Sequence, residues 1–330
     1  MYSLIKPLLF RINPETAHEW VLNGLRFLPA CLLPKPKVSP VKLFGLEFPN
    51  RIGLAAGLDK NGDYIEGLAK LGFGFIEIGT VTPKPQDGNP KPRLFRLIKD
   101  EAIINRMGFN NKGVDYLVER VKKSNYQGIL GINIGKNKQT PLESAVDDYL
   151  ICLRKVYTHA SYITVNISSP NTPDLRQLQQ RDYLANFVYR LKSEQLLLAE
   201  RHKRYIPLLI KISPDESPQT LKDIAEILIE NEIDGLIATN TTCSRDGLLE
   251  EKLSHESGGL SGRILNQQSC HTIATMSHLL KGKVPIIGVG GIFDEKSAKS
   301  TLSAGAQLLQ VYSGLVYEGP GLVSKISRLS

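Results

Sequence analysis

From Arg51 onward the chain repeats one pattern: an apolar run rich in β-branched residues, a glycine-rich or small polar loop, then an amphipathic segment at helical spacing. Eight such runs are read as strands, at residues 52–55, 75–78, 129–133, 162–166, 207–212, 235–239, 285–289 and 307–311. Helical candidates fall between most of them, including residues 142–159, 182–202, 218–230, 267–280 and 295–303. This alternation predicts an α/β fold, a parallel (β/α)8 TIM barrel whose chemistry gathers at the strand C-termini. The ends of the runs agree with that placement. They read Gly57-Leu58-Asp59-Lys60, Gly79-Thr80, Asn133-Ile134-Gly135, Asn166-Ile167-Ser168-Ser169, Lys211-Ile212-Ser213, Thr239-Asn240-Thr241-Thr242, Gly288-Val289-Gly290-Gly291 and Tyr312-Ser313-Gly314. A barrel with only a structural role has no need of amides, hydroxyls, lysines and glycines at all its corners.

The first 40 residues follow a different rule. Tyr2, Leu4, Ile5, Leu8 and Leu9 crowd one short amphipathic helix. A second has Asn13 as N-cap, Pro14 at its first position and Ala17, Trp20, Val21, Leu25 and Leu28 at helical spacing. The proline-rich stretch 33–40 reads as a linker, so residues 1–40 are expected to be a small N-terminal helical extension and 41–330 the barrel. No apolar run approaches the ~20 residues that crossing a bilayer requires, and no secretion signal is present. The helical stripe fits either a lid packed on the barrel or a surface dipping into a membrane interface. A second irregularity is the long connection 80–128, where residues 92–97 and 101–106 are expected to pair as a hairpin over the barrel mouth.

Composition narrows the class without deciding it. Hydrophobic residues at 42% and charged residues at 22% describe a globular protein with a sizeable core, and 330 residues suit one barrel. The net charge of +8 favours anionic partners. Cys31, Cys152, Cys243 and Cys270 form no CxxC pair, so no metal or cluster site is indicated and reduced thiols fit best.

Three groups of residues carry candidate chemistry. The glycines closing runs seven and eight, extended by Gly258-Gly259-Leu260-Ser261-Gly262, form the usual barrel phosphate cradle. Lys60 and Lys211, at the ends of runs one and five, fit a Schiff-base amine, a phosphate contact, a stabiliser of negative charge or a plain surface lysine. Asn105, Asn166, Asn171 and Asn240 lie in loops converging on one mouth, and a set of amides suits a flat ring such as a pyrimidine, although each alone fits an ordinary turn. Ser168-Ser169-Pro170-Asn171 likewise fits a simple turn, with Pro170 restricting Ser169. Zinc-deaminase and Walker signatures are absent, and His255 is the one histidine in these loops.

Taken together, the stretches 55–60, 105–110, 166–172, 210–212, 238–242, 259–262, 288–291 and 312–313 resemble dihydroorotate dehydrogenase, specifically the quinone-linked, membrane-associated bacterial type (class 2). They span the barrel in order, and the N-terminal helical pair matches that class's extension. The resemblance implies oxidation of dihydroorotate to orotate in pyrimidine biosynthesis, with FMN as hydride acceptor and a membrane quinone as final acceptor. It implies a proton-removing base at Ser169, where the cytosolic class has cysteine; Thr172 is then a candidate relay, Lys60 a stabiliser of developing charge and Phe109 a dry wall. FMN contacts would be Ala56, Gly57, Lys60, Thr80, Asn133, Asn166, Lys211, Thr239, Gly262, Gly291, Tyr312 and Ser313. Substrate contacts would be Lys60, Asn105, Arg106, Met107, Gly108, Phe109, Asn166, Asn171, Asn240 and Thr241. The implied location is peripheral, on the cytoplasmic face of the inner membrane. A flavin barrel that reduces uridine in RNA is disfavoured, since no basic-aromatic appended domain indicates a nucleic-acid partner. A non-enzymatic barrel that only binds a phosphate ligand at the membrane is a further reading, which a colourless, ligand-free purified protein would favour; a variant using fumarate or nicotinamide is disfavoured by Ser169 and the extension.

Overall fold

The computed structural model describes residues 2–249 and 251–329. The chain opens with helices α1 (Tyr2–Arg11) and α2 (Pro14–Phe27), then strands β1 (Val41–Leu43) and β2 (Leu46–Phe48). Next come β3 (Ile52–Leu54), α3 (Ile65–Ala69), β4 (Phe75–Val81), β5 (Leu94–Leu97), β6 (Ala102–Asn105), α4 (Val114–Lys123) and β7 (Ile129–Ile134). The middle is α5 (Ala145–Val156), β8 (Tyr162–Asn166), α6 (Arg181–His202), β9 (Leu208–Ile212), α7 (Pro218–Glu230) and β10 (Gly235–Ala238). The chain ends with α8 (Glu251–Ser254), β11 (Gly259–Gly262), α9 (Leu265–Leu280), β12 (Ile286–Val289), α10 (Glu295–Ser303), β13 (Leu308–Val311), α11 (Ser313–Glu318) and α12 (Leu322–Ile326).

All eight predicted runs become strands of one closed parallel barrel, β3-β4-β7-β8-β9-β10-β12-β13, with β13 pairing back onto β3. Side chains alternate along each strand, one set against the surrounding helices and one into the barrel. The inward set changes character with height. Its lower layer is apolar: Phe75, Tyr162, Leu209, Ile237, Ile287 and Leu308 form one buried cluster. Two residues further along the same strands the inward positions are Glu77, Thr164, Lys211, Thr239, Val289 and Gln310. The floor of the barrel mouth is therefore largely polar because the strands carry polar residues one pleat above the apolar layer.

Large rings fill the lower layer only because glycines face them. A Cβ on Gly53 would stand 2.2 Å from the Phe75 ring, and one on Gly131 would stand 2.2 Å from the Tyr162 ring. Below them the β1–β2 hairpin closes the barrel bottom, and Phe44, Phe48, Phe75 and Tyr162 stack edge to face with centroids 5.2–6.4 Å apart. Sequence reading missed this hairpin. Its signal is present: Val41 to Phe48 alternates around Phe44-Gly45, both at positive φ as a two-residue hairpin turn demands.

The predicted mouth hairpin forms as β5 and β6, and β11 joins β6 to make a three-stranded antiparallel sheet. The glycine run expected to extend a phosphate cradle is thus also a sheet strand. Gly262 stands at φ +120, and a Cβ there would meet Ala102 Cα at 2.4 Å, so this crossing requires glycine.

The helical pair docks through both apolar and polar contacts: Ala17 and Leu22 of α2 are buried, Leu22 within the main core, and Phe10 of α1 packs edge to face on Tyr317. The Asn13 side chain caps α2 as expected, accepting from the Glu15 and Thr16 N–H groups at 3.0 and 3.3 Å. Lys70 donates to the Leu25, Arg26 and Leu28 carbonyls at the end of α2, and Arg96 donates to the Leu9, Phe10 and Ile12 carbonyls at the end of α1. Buried Arg93 grips Glu15 at 2.8 Å while also donating to the Asp87 and Asn89 carbonyls. Other apolar side chains of the pair face outward: Leu4 is 79% exposed and Phe27 85%. No helix among the described residues is long and apolar enough to cross a membrane.

Candidate active site

A cleft opens over the polar layer, at the C-terminal ends of the barrel strands. Its empty space, with the open mouth included, is about 1000 Å³. The loops fill it in chain order. After β3 come Ala56, Gly57 and Lys60, from β4 comes Thr80, and from the mouth connection come Asn105, Met107, Gly108 and Phe109. The loop after β8 supplies Ser169 and Asn171, joining Asn166 at the strand end and Lys211 on β9. Thr239, Asn240 and Thr241 follow β10, with Gly262, Gly291, Tyr312 and Ser313 on the far wall.

Three expected residues stand back from the cleft wall. Asn133 is fully buried beneath Thr80, accepting from Thr80 Oγ1 at 2.6 Å and donating to Glu77 at 2.8 Å. Arg106 turns outward, paired with Glu256 at 2.5 Å and stacked on Phe95. Thr172 is buried, and its hydroxyl has no hydrogen-bond partner.

The asparagines do converge. Asn171 Nδ2 donates to Asn105 Oδ1 at 3.2 Å, and Asn240 Nδ2 donates to Ser168 Oγ at 3.0 Å. Ser168 in turn donates to Asn166 Oδ1, whose amide nitrogen reaches Thr80 Oγ1 at 3.0 Å. Ser169 is buried, and its Oγ accepts from the Asn171 N–H at 3.3 Å. Phe109 takes a positive φ of 53, held there by donors from Gln86 and Asn111 onto its carbonyl.

Two lysines make the cleft electropositive. Lys60 donates to the Gly57 carbonyl at 2.8 Å, and burial, helped by the Arg93 charge, lowers its pKa to about 8. The neighbouring Asp59 carboxylate is occupied elsewhere, accepting the N–H groups of Asn61, Asp63 and Tyr64 and so shaping the loop that carries Lys60. Burial also lowers the Lys211 pKa, against the opposing pull of Glu77.

Sequence reading missed several participants. Gln310 lines the cleft, and its buried Oε1 has no hydrogen-bond partner. A polar residue two positions past Leu308 in an apolar run was the available signal. His18 of α2 sits at the backbone of Leu58 near Lys60, and burial brings its pKa to about 4, so it is neutral at physiological pH. Nothing local in the helix pattern marks it, because its neighbours come from the barrel.

Comparison with known proteins agrees with this geometry. The dihydroorotate dehydrogenase family model matches residues 38–329. The dihydroorotate dehydrogenase (quinone) of Legionella pneumophila (strain Lens) is 58% identical over 326 residues, covering 99% of this chain and 98% of that protein. That of Cellvibrio japonicus (strain Ueda107) is 56% identical over 329 residues, covering 98% and 96%. Among solved structures, DHODH from Eimeria tenella in complex with ferulenol superposes with a TM-score of 0.91 at 39% identity, covering 98% of this chain and 93% of that one. On barrel, cleft and near full-length similarity alike, the chain belongs to the dihydroorotate dehydrogenase family.

Proposed function

We propose that the protein oxidises dihydroorotate to orotate in pyrimidine biosynthesis, with a flavin as hydride acceptor and a quinone as final electron acceptor. The observation that carries this reading is the meeting of Ser169, Lys60 and four asparagines around one cleft that also has a glycine wall. Serine at the base position favours the quinone-linked class.

The flavin is FMN in this reading, and the residues fit it. Gly262, Gly291 and Ser313 supply small or hydroxyl-bearing positions suited to a single phosphate, while Lys211, Asn166 and the partnerless Gln310 Oε1 offer complements to a pyrimidine edge. Thr80, Thr239, Ala56, Gly57 and Tyr312 complete its walls, with Asn133 acting through Thr80. Bound FMN supplies the two-electron chemistry that side chains lack.

The chain's own residues handle the proton and the charge. Ser169 Oγ removes the carbon-bound proton, a task for which serine is weak unless its surroundings assist. Burial excludes water, the free Thr172 hydroxyl is a relay seat, and Lys60 stabilises the negative charge that develops. Asn105, Asn166, Asn171, Asn240 and Thr241 hold the amide edges of the substrate, with Met107, Gly108 and Phe109 closing over it.

Residues 1–40 form an appended unit that seats the protein peripherally on the cytoplasmic face of the inner membrane. Leu4, Leu8, Trp20 and Phe27 are more than half exposed, which suits a lipid interface. Quinone reaches the cleft from that side.

Ser169→Ala should retain flavin and lose dihydroorotate-dependent turnover by about 10²–10⁴-fold, the usual weight of general base catalysis; near-normal turnover overturns the assigned role. Lys60 is a cation only below its pKa of about 8, so orotate affinity should be high at neutral pH and fall as pH rises through that value. Flavin-perturbation titrations would show this dependence vanish in Lys60→Met, and an affinity flat through that pH in the parent contradicts it. Leu8→Glu combined with Phe27→Glu should release the protein from anionic vesicles and impair turnover with membrane quinone while a soluble dye is still reduced. Unchanged vesicle sedimentation would refute the membrane seat.

A further inference from the structure

Three loops after consecutive barrel strands, those following β8, β9 and β10, meet at one guanidinium. Arg176 lies seven residues beyond Ser169, on the short helical turn Leu175–Gln179. It is reached through Asp174, whose φ of 57 turns the chain back towards the strand end. From there Arg176 Nε donates to the Ser168 carbonyl at 3.2 Å, closing the Ser169 loop on itself. Nη2 donates to the Thr241 carbonyl at 2.9 Å, and Nη1 pairs with Asp215 at 2.7 Å. Asp215 is tied down in turn, accepting from Thr242 Oγ1, from the Cys243 N–H at 2.8 Å and from Gln268 Nε2 at 3.0 Å. Both members of the ion pair are about four-fifths buried, with side-chain exposures of 22% and 21%.

Resting on the dihydroorotate reading, we propose that Arg176, anchored by Asp215, is a positioning residue that fixes the Ser169 hydroxyl relative to the substrate-holding loop of Asn240 and Thr241. The two carbonyls it joins are adjacent to the base and within the substrate contacts, so their separation sets how far Ser169 Oγ stands from the carbon it deprotonates. An arginine is needed because its planar fork addresses three acceptors in fixed directions, whereas a lysine presents one rotating ammonium. Misplacement of a reacting group by an ångström costs about 10²-fold in rate, so the clasp governs the proton-removal step and leaves the electron exit alone.

Half-reactions separate this role from a structural one. In anaerobic rapid mixing of the flavin-loaded full chain with dihydroorotate, Arg176→Met should slow flavin reduction at saturating substrate by about 10²-fold. Reoxidation of the same dithionite-reduced variant by quinone should match the parent protein. Arg176→Lys should fall between the two, and the Arg176→Met, Asp215→Asn double variant should be no slower than Arg176→Met alone, as expected of one unit. Should Arg176→Met fail to retain flavin, Arg176→Lys and Asp215→Asn carry the same test with smaller losses. Reduction at the parent rate, or equal slowing of both half-reactions, overturns the clasp. A parent protein that dihydroorotate does not reduce overturns the activity reading itself, and the clasp with it.

Discussion

The site is built upward from one buried charge. Glu77 is wholly enclosed in the barrel, where its carboxylate accepts from Tyr162, Thr164, Gln310 and Asn133, donors on three other strands. A carboxylate without such partners would be costly to bury, so these four side chains have little freedom to turn elsewhere. Asn133 then orients Thr80, Thr80 receives Asn166, and Asn166 receives Ser168, one residue before the proposed base. A continuous hydrogen-bonded chain thus runs from the barrel interior to the loop where the chemistry is placed, and its members reinforce one another in the low dielectric.

Above that chain the electrostatics reverse sign. Lys60 and Lys211 bring positive charge into a cleft where burial opposes ionisation of both, and an anionic ligand would restore what burial removes. Glu77 steadies Lys211 from below, while Asp59 spends its carboxylate on backbone N–H groups and leaves Lys60 for the ligand. The same economy of placement is visible at the helical pair. Arg93, Arg96 and Lys70 hold it against the barrel beside the buried Ala17 and Leu22, and Leu4, Leu8, Trp20 and Phe27 are left to face outward.

The barrel was legible because strand and helix periodicity are local properties, and every run from residue 52 to 311 carries its own signature. The cleft residues were legible for a related reason: Lys60, Ser169 and Asn240 stand where parallel strands end, which topology alone directs to one face. What escaped depended on partners distant in the chain. β11 pairs with a strand more than 150 residues earlier, Glu77 draws its donors from across the barrel, and Arg176 acquires meaning only when three loops meet. Asn133 and Thr172 show the reverse case: their motifs close barrel strands, yet both side chains are buried behind the cleft wall, because burial depth is a tertiary quantity that spacing does not encode.

The central claim is that this cleft holds a flavin which dihydroorotate reduces. The direct measurement is the visible spectrum of the purified full-length protein, recorded without oxygen before and after one equivalent of dihydroorotate. The account predicts a yellow protein that bleaches as orotate appears, and whose colour returns when quinone is added. A colourless protein that cannot be reconstituted with FMN, or a yellow one indifferent to dihydroorotate, would contradict it.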